Sequence, residues 1–260
     1  MQALYIASTG MAAQEENVNV ISNNIANMRT TGYKRQRAEF QDLLYQEIRR
    51  AGGTTSDSTQ VPVGIEIGSG VRIAATPRVM SQGSVVASDK ELDMAVQGEG
   101  YFMITLPSGA TAYTRDGSFE RDATGKLTTV DGYEVQPGIT IPDNASALTV
   151  SPDGIVTAVI GSATTTTTLG QLQLARFANK GGLVSVGNNM FQESAASGPA
   201  QVSVPNSDST GTIMQSYLED SNVNAVTEIS DLIAAQRAYE MNARVVTGAD
   251  EMLQTTSQMK

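Results

Sequence analysis

Asp116, Glu120, Asp122 and Asp131 fall close together and are the side chains best spaced to do chemistry. A carboxylate pair among them could hydrolyse a glycoside, and several of their oxygens together could hold calcium. Each aspartate sits next to a turn residue, however, where its carboxylate caps local backbone, and no calcium-loop pattern surrounds them. The glycine-rich runs Gly64 to Gly70 and Gly98 to Phe102 lack the full spacing of a phosphate loop, and neither leads into a helix whose N-terminus could hold a phosphate. They read better as strand bends where backbones approach closely.

The chain contains no histidine and no cysteine. That removes thiolate nucleophiles, histidine bases, disulfides and every zinc or copper site built on those residues. Serine is left with only lysine to activate it, and no Ser–Lys pair stands out. The inventory therefore points away from an enzyme, with no metal and no cofactor expected, and toward binding or assembly. The net charge of -10, from 17 basic and 27 acidic residues, argues against nucleic acid as a partner. No apolar run is long enough to span a membrane, and no basic residue precedes Arg29 to begin a cleavable signal.

The elements that carry these residues differ between the chain ends and the middle. Leu4, Ala7, Met11, Val18, Ile21, Ile25 and Met28 follow the alternating spacing of a heptad seam, broken only by Gln14. Near the other end, Ile229, Leu232, Tyr239, Ala243, Val246 and Leu253 form one apolar stripe, and Val245, Ala249, Met252 and Met259 a neighbouring one. That face is wide enough to touch two partners. Gly248 interrupts it at a helix-propensity cost, so either the helix tolerates it or a neighbouring chain packs closely there. Such stripes bury too little to order long helices alone, so both ends should fold only by packing on something. A two-helix hairpin closing a globular domain satisfies the same pattern.

From Arg29 to about Arg50 the pattern stays partly helical, with Phe40, Leu43, Leu44 and Ile48 on one side. A polar, turn-rich loop follows from Ala51 to Gln60, and alternation then resumes through Val61, Val63, Ile65, Ile67, Val71 and Ile73. Downstream, Asp116-Gly117, Thr124-Gly125, Asp131-Gly132, Asp143-Asn144, Asp153-Gly154 and Gly181-Gly182 separate short strand-like runs. The expected fold is α+β. Residues 1–28 with 222–260 form a discontinuous helical coiled coil, 29–80 a connector with a helical turn and an extended β-hairpin, and 81–221 an antiparallel β domain.

Asn23-Asn24-Ile25-Ala26-Asn27-Met28-Arg29-Thr30-Thr31-Gly32-Tyr33-Lys34 resembles the signature of the bacterial flagellar rod and hook proteins. Gly98 to Phe102, Tyr113 to Phe119, Leu169 to Leu172, Gly187 to Phe191, Leu218 to Val223 and Ala235-Gln236-Arg237-Ala238-Tyr239-Glu240 look like further segments of that family. The stretch Lys34 to Tyr45 is most similar to its distal-rod members, while Asn224 to Glu228 departs from the family pattern. The resemblance implies terminal helices forming an inner coiled-coil tube, a connector layer carrying Tyr45, Gly64, Gly68 and Gly70, and a β domain facing outward. It also implies a straight drive shaft crossing the periplasm, exported without a cleaved signal through the flagellum's own type III apparatus. The implied partners are copies of itself, the proximal rod, the hook or its junction, and the ring bushing. Shortening Gly52 to Gln60 should make the polymer curve. A proximal rod or hook subunit, a secreted β-rich adhesin with a helical stalk and a carboxylate-dependent hydrolase are the alternatives.

Overall fold

A computed structural model describes residues 2–51, 54–56, 59–60, 62–161 and 165–258, with side chains outside 54–60. The chain divides into two compact units. One comprises Met1–Ala26, Gln36–Arg78 and Asn224–Lys260, and the other Asn27–Arg35 and Val79–Val223.

In the first unit, the helical patterning at both chain ends becomes α1 (Gln2–Ala26, 25 residues) and α2 (Ala225–Gln258, 34 residues). Asn224 starts α2 by accepting the Val226 and Thr227 amides on its side-chain oxygen, at 3.0 and 3.2 Å, which satisfies donors that a helix start leaves open. The segment departing from the family pattern is thus an N-cap. The two helices pack on each other and run antiparallel: Asn24 meets Glu228, and Gly10 abuts Asn242.

Between the helices, the partly helical pattern from Arg29 to Arg50 is not realised. Two hydrogen-bonded turns (Thr30 amide to Asn27 carbonyl, Tyr33 amide to Thr30 carbonyl) end the α1 run. Strands Glu39–Asp42, Gln46–Arg49 and Thr54–Ser56 then lead outward, and Thr59–Gln60, Ile65–Ile67 and Val71–Ala75 return antiparallel along them. Phe40, Leu43, Leu44 and Ile48 share a helical period by coincidence, while the cross-strand pairing that decides their conformation is non-local. The result is one long β-hairpin arm. Its base rests on α1, where the Val71 amide donates to Thr9 Oγ1 at 3.4 Å and Gly70 leaves room for that hydroxyl. Gly52, Gly53, Val61, Met259 and most of the Gly52 to Gln60 stretch lie outside the described residues or show backbone alone.

The second unit is antiparallel β apart from a 3-10 turn at Lys180–Gly182. Its principal sheet runs Phe119–Arg121, Leu127–Thr129, Glu134–Val135, Tyr101–Thr105, Thr111–Thr114, Met190–Gln192, Val184–Gly187, with Leu174–Arg176 and Gln201–Ser203 branching from the central strand. Ala145–Val150, Ile155–Ile160 and Thr166–Gln171 make a second sheet. Alternation on Tyr101–Thr105 sends Phe102 into a core with Phe119, Leu172 and Leu174, and Tyr101 with Met103 into another with Tyr113, Phe177 and Phe191. Gly125, Gly132 and Gly154 take positive φ in the expected turns. Gly117 does not; it admits the Met94 carbonyl against its Cα, so Asp116-Gly117 is a close approach and not a hairpin turn.

Candidate assembly site

The carboxylates best spaced for chemistry are engaged in local structure. Asp122 Oδ1 accepts from the Thr124 and Lys126 amides, both at 2.8 Å, and hydrogen bonds led by the Thr124 hydroxyl hold its carboxyl below the usual range. Asp116 Oδ1 accepts from the Ser118 amide at 3.0 Å, and Asp131 from Asn188 Nδ2 at 2.9 Å. Glu120 pairs with Lys90 at 3.3 Å on the surface. Among the described residues no cluster of three or more acidic side chains is placed to hold a metal ion, and no helix is long and apolar enough to cross a membrane.

The groups that are both polar and deeply buried lie elsewhere. In the β unit, Lys34, Arg115 and Glu219 are 1%, 5% and 0% exposed. Lys34 Nζ pairs with Glu219 Oε1, and Arg115 Nη1 stands 3.3 Å from Oε2 of the same carboxylate. Backbone completes the cluster: Lys34 Nζ donates to the Ser81 carbonyl at 2.8 Å, Arg115 Nη1 to the Val96 carbonyl at 3.1 Å, and the Gly83 amide to Glu219 Oε1 at 2.9 Å. The Arg115 guanidinium lies 5.3 Å from the Tyr101 ring centroid. Burial pushes the Lys34 ammonium below its ordinary range against the pull of Glu219, and pushes the Tyr101 phenol up to about 12.

Around this cluster the motif segment is clamped residue by residue. The Gly32 amide donates to the Glu219 carbonyl at 2.7 Å, the Arg35 amide to Asn222 Oδ1 at 2.8 Å, and Asn189 Nδ2 to the Thr31 carbonyl at 3.0 Å. Thr30 Oγ1 bonds Asn27 Oδ1 at 3.1 Å, and Tyr33 is buried. Asn27, Thr30, Gly32 and Tyr33 therefore serve the β unit. Asn24 serves the helix pair, donating to Glu228 Oε2 at 3.0 Å and bonding both the amide and the carbonyl of Gln36. Gln236 and Arg237 are exposed on α2.

The apolar residues expected to form the helix seam divide into three sets. Ile21 is buried, whereas Leu4, Met11, Val18, Ile25, Leu232 and Val246 are half-buried, and Met28, Ile229, Tyr239 and Leu253 are exposed. The buried seam shares Ile21 with that column and is otherwise built from small and polar residues: Ala7, Ala13 and Asn24 on α1, against Glu228, Ala235 and Ala249 on α2. Stepping one heptad along each helix in opposite directions from Asn24 and Glu228 reaches Asn17 and Ala235, then Gly10 and Asn242. A Cβ at Gly10 would stand 2.9 Å from Asn242 Nδ2, so the register holds over that distance. Small side chains let the two backbones approach, and the larger apolar residues are left to face outward.

The hairpin arm is likewise uncovered. Leu44 is 90% exposed, and Phe40, Tyr45, Ile48, Val63 and Ile65 are exposed as well. Tyr45 lies over Gly68, whose added Cβ would touch the ring at 3.5 Å, and Gly64 closes on the Arg49 carbonyl across the hairpin. A two-stranded ribbon with apolar side chains in water on this scale calls for a covering partner.

Comparison with known proteins matches three flagellar family models to this chain: "Flagella basal body rod protein" over residues 4–34, "Flagellar hook protein FlgE/F/G D1 domain" over 95–158, and "Flagellar basal body rod FlgEFG protein C-terminal" over 214–259. Each matched region contributes one member of the buried cluster, Lys34, Arg115 and Glu219 respectively. The chain is 54% identical to the flagellar basal-body rod protein FlgG of Caulobacter vibrioides over 100% of both chains. It is 51% identical to FlgG of Agrobacterium fabrum over 99% of this chain and 98% of that one, and 42% identical to FlgG of Borreliella burgdorferi over 100% and 99%.

Proposed function

The chain belongs to the flagellar basal-body rod family, and from that membership we propose that it is a structural subunit of the distal rod, polymerising into the shaft that carries motor torque to the hook. The observation that carries this reading is kinship along the whole chain, at 54% identity with no segment left over. The uncovered apolar faces of α1, α2 and the hairpin arm support it physically, because each is a surface that another copy would bury.

In this reading α1 and α2 form a coiled coil in the inner tube of the rod. The heptad repeat of Glu228, Ala235, Asn242 and Ala249 against α1 supports such packing. The arm joins neighbouring copies axially, with Tyr45, Gly64, Gly68 and Gly70 shaping it, and its tip, Gly52 to Gln60, governs whether the polymer bends. The β unit faces outward to a ring bushing, the proximal rod and hook adjoin at the two ends, and the subunit leaves the cell through the flagellar export apparatus without a cleaved signal. Electron microscopy of basal bodies from cells lacking this chain tests the assignment: the distal rod should be missing, and an intact one would overturn it.

A further inference from the structure

Gly248 lies within α2, where glycine costs about 1 kcal/mol relative to alanine. A Cβ placed there would meet nothing within 4 Å. Nothing among the described residues therefore calls for glycine at that position. Met241, Val245 and Met252 flank it on the same helical face and are 61%, 50% and 64% exposed, at the i, i+4, i+11 offsets that with Gly248 make a single stripe. A residue without a side chain thus sits in the middle of a bare apolar stripe, an arrangement suited to close approach by another helix.

A complementary groove lies on the other side of the buried seam. Leu4, Met11, Val18 and Ile25 repeat at heptad intervals along α1, and Leu232, Tyr239, Val246 and Leu253 do the same along α2. The two columns run along the same side of the antiparallel pair, on α1 and α2 respectively. Val18 and Tyr239 line one open groove, with Glu15 and Glu240 on its rim. The charges match as well. Arg237 and Arg244, both exposed, form a heptad column beside the stripe, and none of these four charged side chains has an ion-pair partner among the described residues.

Resting on the reading of this chain as a self-polymerising subunit, we propose that the Met241–Val245–Gly248–Met252 stripe of one copy seats in the Val18–Tyr239 groove of a second copy, with Gly248 at the point of closest approach. Arg237 and Arg244 of the first copy then face Glu15 and Glu240 of the second. Stripe and groove occupy different sides of one helix pair, so the contact is heterologous. It repeats without closing and generates an open helical polymer.

Because the chain has no cysteine, full-length protein carrying both Val18→Cys and Val245→Cys reports this contact without background. Oxidation of its polymers should give a ladder of covalent oligomers, and either single variant should give no ladder; polymers visible by electron microscopy that yield no ladder would overturn the proposal. Gly248→Leu supplies a second readout. As a monomer it should melt at or above the wild-type temperature by circular dichroism, yet polymerise roughly tenfold less, since overfilling a tight contact is destabilising. Wild-type polymer yield from Gly248→Leu would also overturn it. Unaltered chain that neither polymerises nor restores rods to cells lacking it would overturn the subunit reading and this contact together.

Discussion

Lys34 and Glu219 stand 185 residues apart in the chain and meet as a buried ion pair. Arg115 shares the same carboxylate from 104 residues away. One anion thus balances two cations where water is excluded, and the consequences of removing each partner are unequal. Glu219→Gln leaves both cations uncompensated and should destabilise the monomer by about 3–5 kcal/mol, the usual cost of breaking a buried pair. Lys34→Met keeps the Arg115–Glu219 pair and replaces an ammonium whose burial is itself unfavourable, so it should cost less. Urea denaturation of the two variants compares them directly, and equal or reversed losses would show that Glu219 is not the hub.

Alkaline pH should act through Tyr101. Its phenol is raised by burial to about 12 in the folded chain, from an ordinary value of 10.0. A proton held more tightly by the folded state stabilises it below the unfolded pKa, and that contribution is lost as pH rises through the folded pKa. Lys34, whose pKa is lowered by burial, works the other way, but only up to its unfolded value of 10.5. Between about pH 10.5 and 12 the Tyr101 share of the loss is roughly 1.4 kcal/mol per pH unit, and Tyr113, whose phenol is also raised by burial, adds to it. Tyr101→Phe removes the first share, and its melting temperature should fall less steeply over that interval than the wild type's. Parallel curves would refute this.

Both helices, their lengths and the antiparallel β middle are legible in the sequence because each rests on local periodicity. The buried helix seam is legible only in part. Ala7, Ile21 and Ala249 fall in the expected stripes, but hydrophobicity also picks out Leu4, Met11, Val18 and Ile25, whereas close helix approach selects Gly10, Ala13 and Asn24, which carry little hydrophobic signal. The arm misleads for a related reason: Phe40 and Leu44 acquire their strand conformation from Ile73 and its neighbours, far along the chain. The ionic cluster shows the same limit. Lys34, Arg115 and Glu219 all fall in recognisable motif segments, yet nothing local to any of them says that they converge.

Gly32 should tolerate no side chain. Its φ is +69°, and an added Cβ would lie 2.7 Å from the Asp116 amide nitrogen and 2.8 Å from the Arg115 carbonyl carbon. Gly32→Ala must therefore either strain its own backbone, at about 1–2 kcal/mol, or displace the strand end that carries Arg115. The second route disturbs the ionic cluster, so the total loss should exceed that of an isolated left-handed glycine. Thermal melting of Gly32→Ala alongside Gly132→Ala provides the comparison, because Gly132 has φ +81° and a Cβ added there would meet nothing within 4 Å. A similar drop in both would mean that the Asp116 contact yields freely.

Asn24 and Glu228 set the register of the helix pair, and their chemistry makes that role measurable. Glu228 is 2% exposed and accepts from Asn24 Nδ2 at 3.0 Å, while Asn24 also bonds the Gln36 backbone. Asn24→Ala removes these bonds without filling the space, and should cost about 2–4 kcal/mol. Asn24→Asp keeps the shape but sets two carboxylates face to face, so one of them takes a proton more readily in the folded state than in the unfolded chain. A raised folded pKa contributes stability that is present at acid pH and lost as pH rises through it. Asn24→Asp should therefore approach wild-type stability near about pH 4 and fall well below it at about pH 7, whereas the Asn24→Ala deficit should stay nearly constant. Hydrogen exchange of α2 amides near Glu228, followed at both pH values and corrected for intrinsic rates, separates the two. A constant deficit in Asn24→Asp would place the Glu228 carboxylate in contact with water and remove it as a register lock.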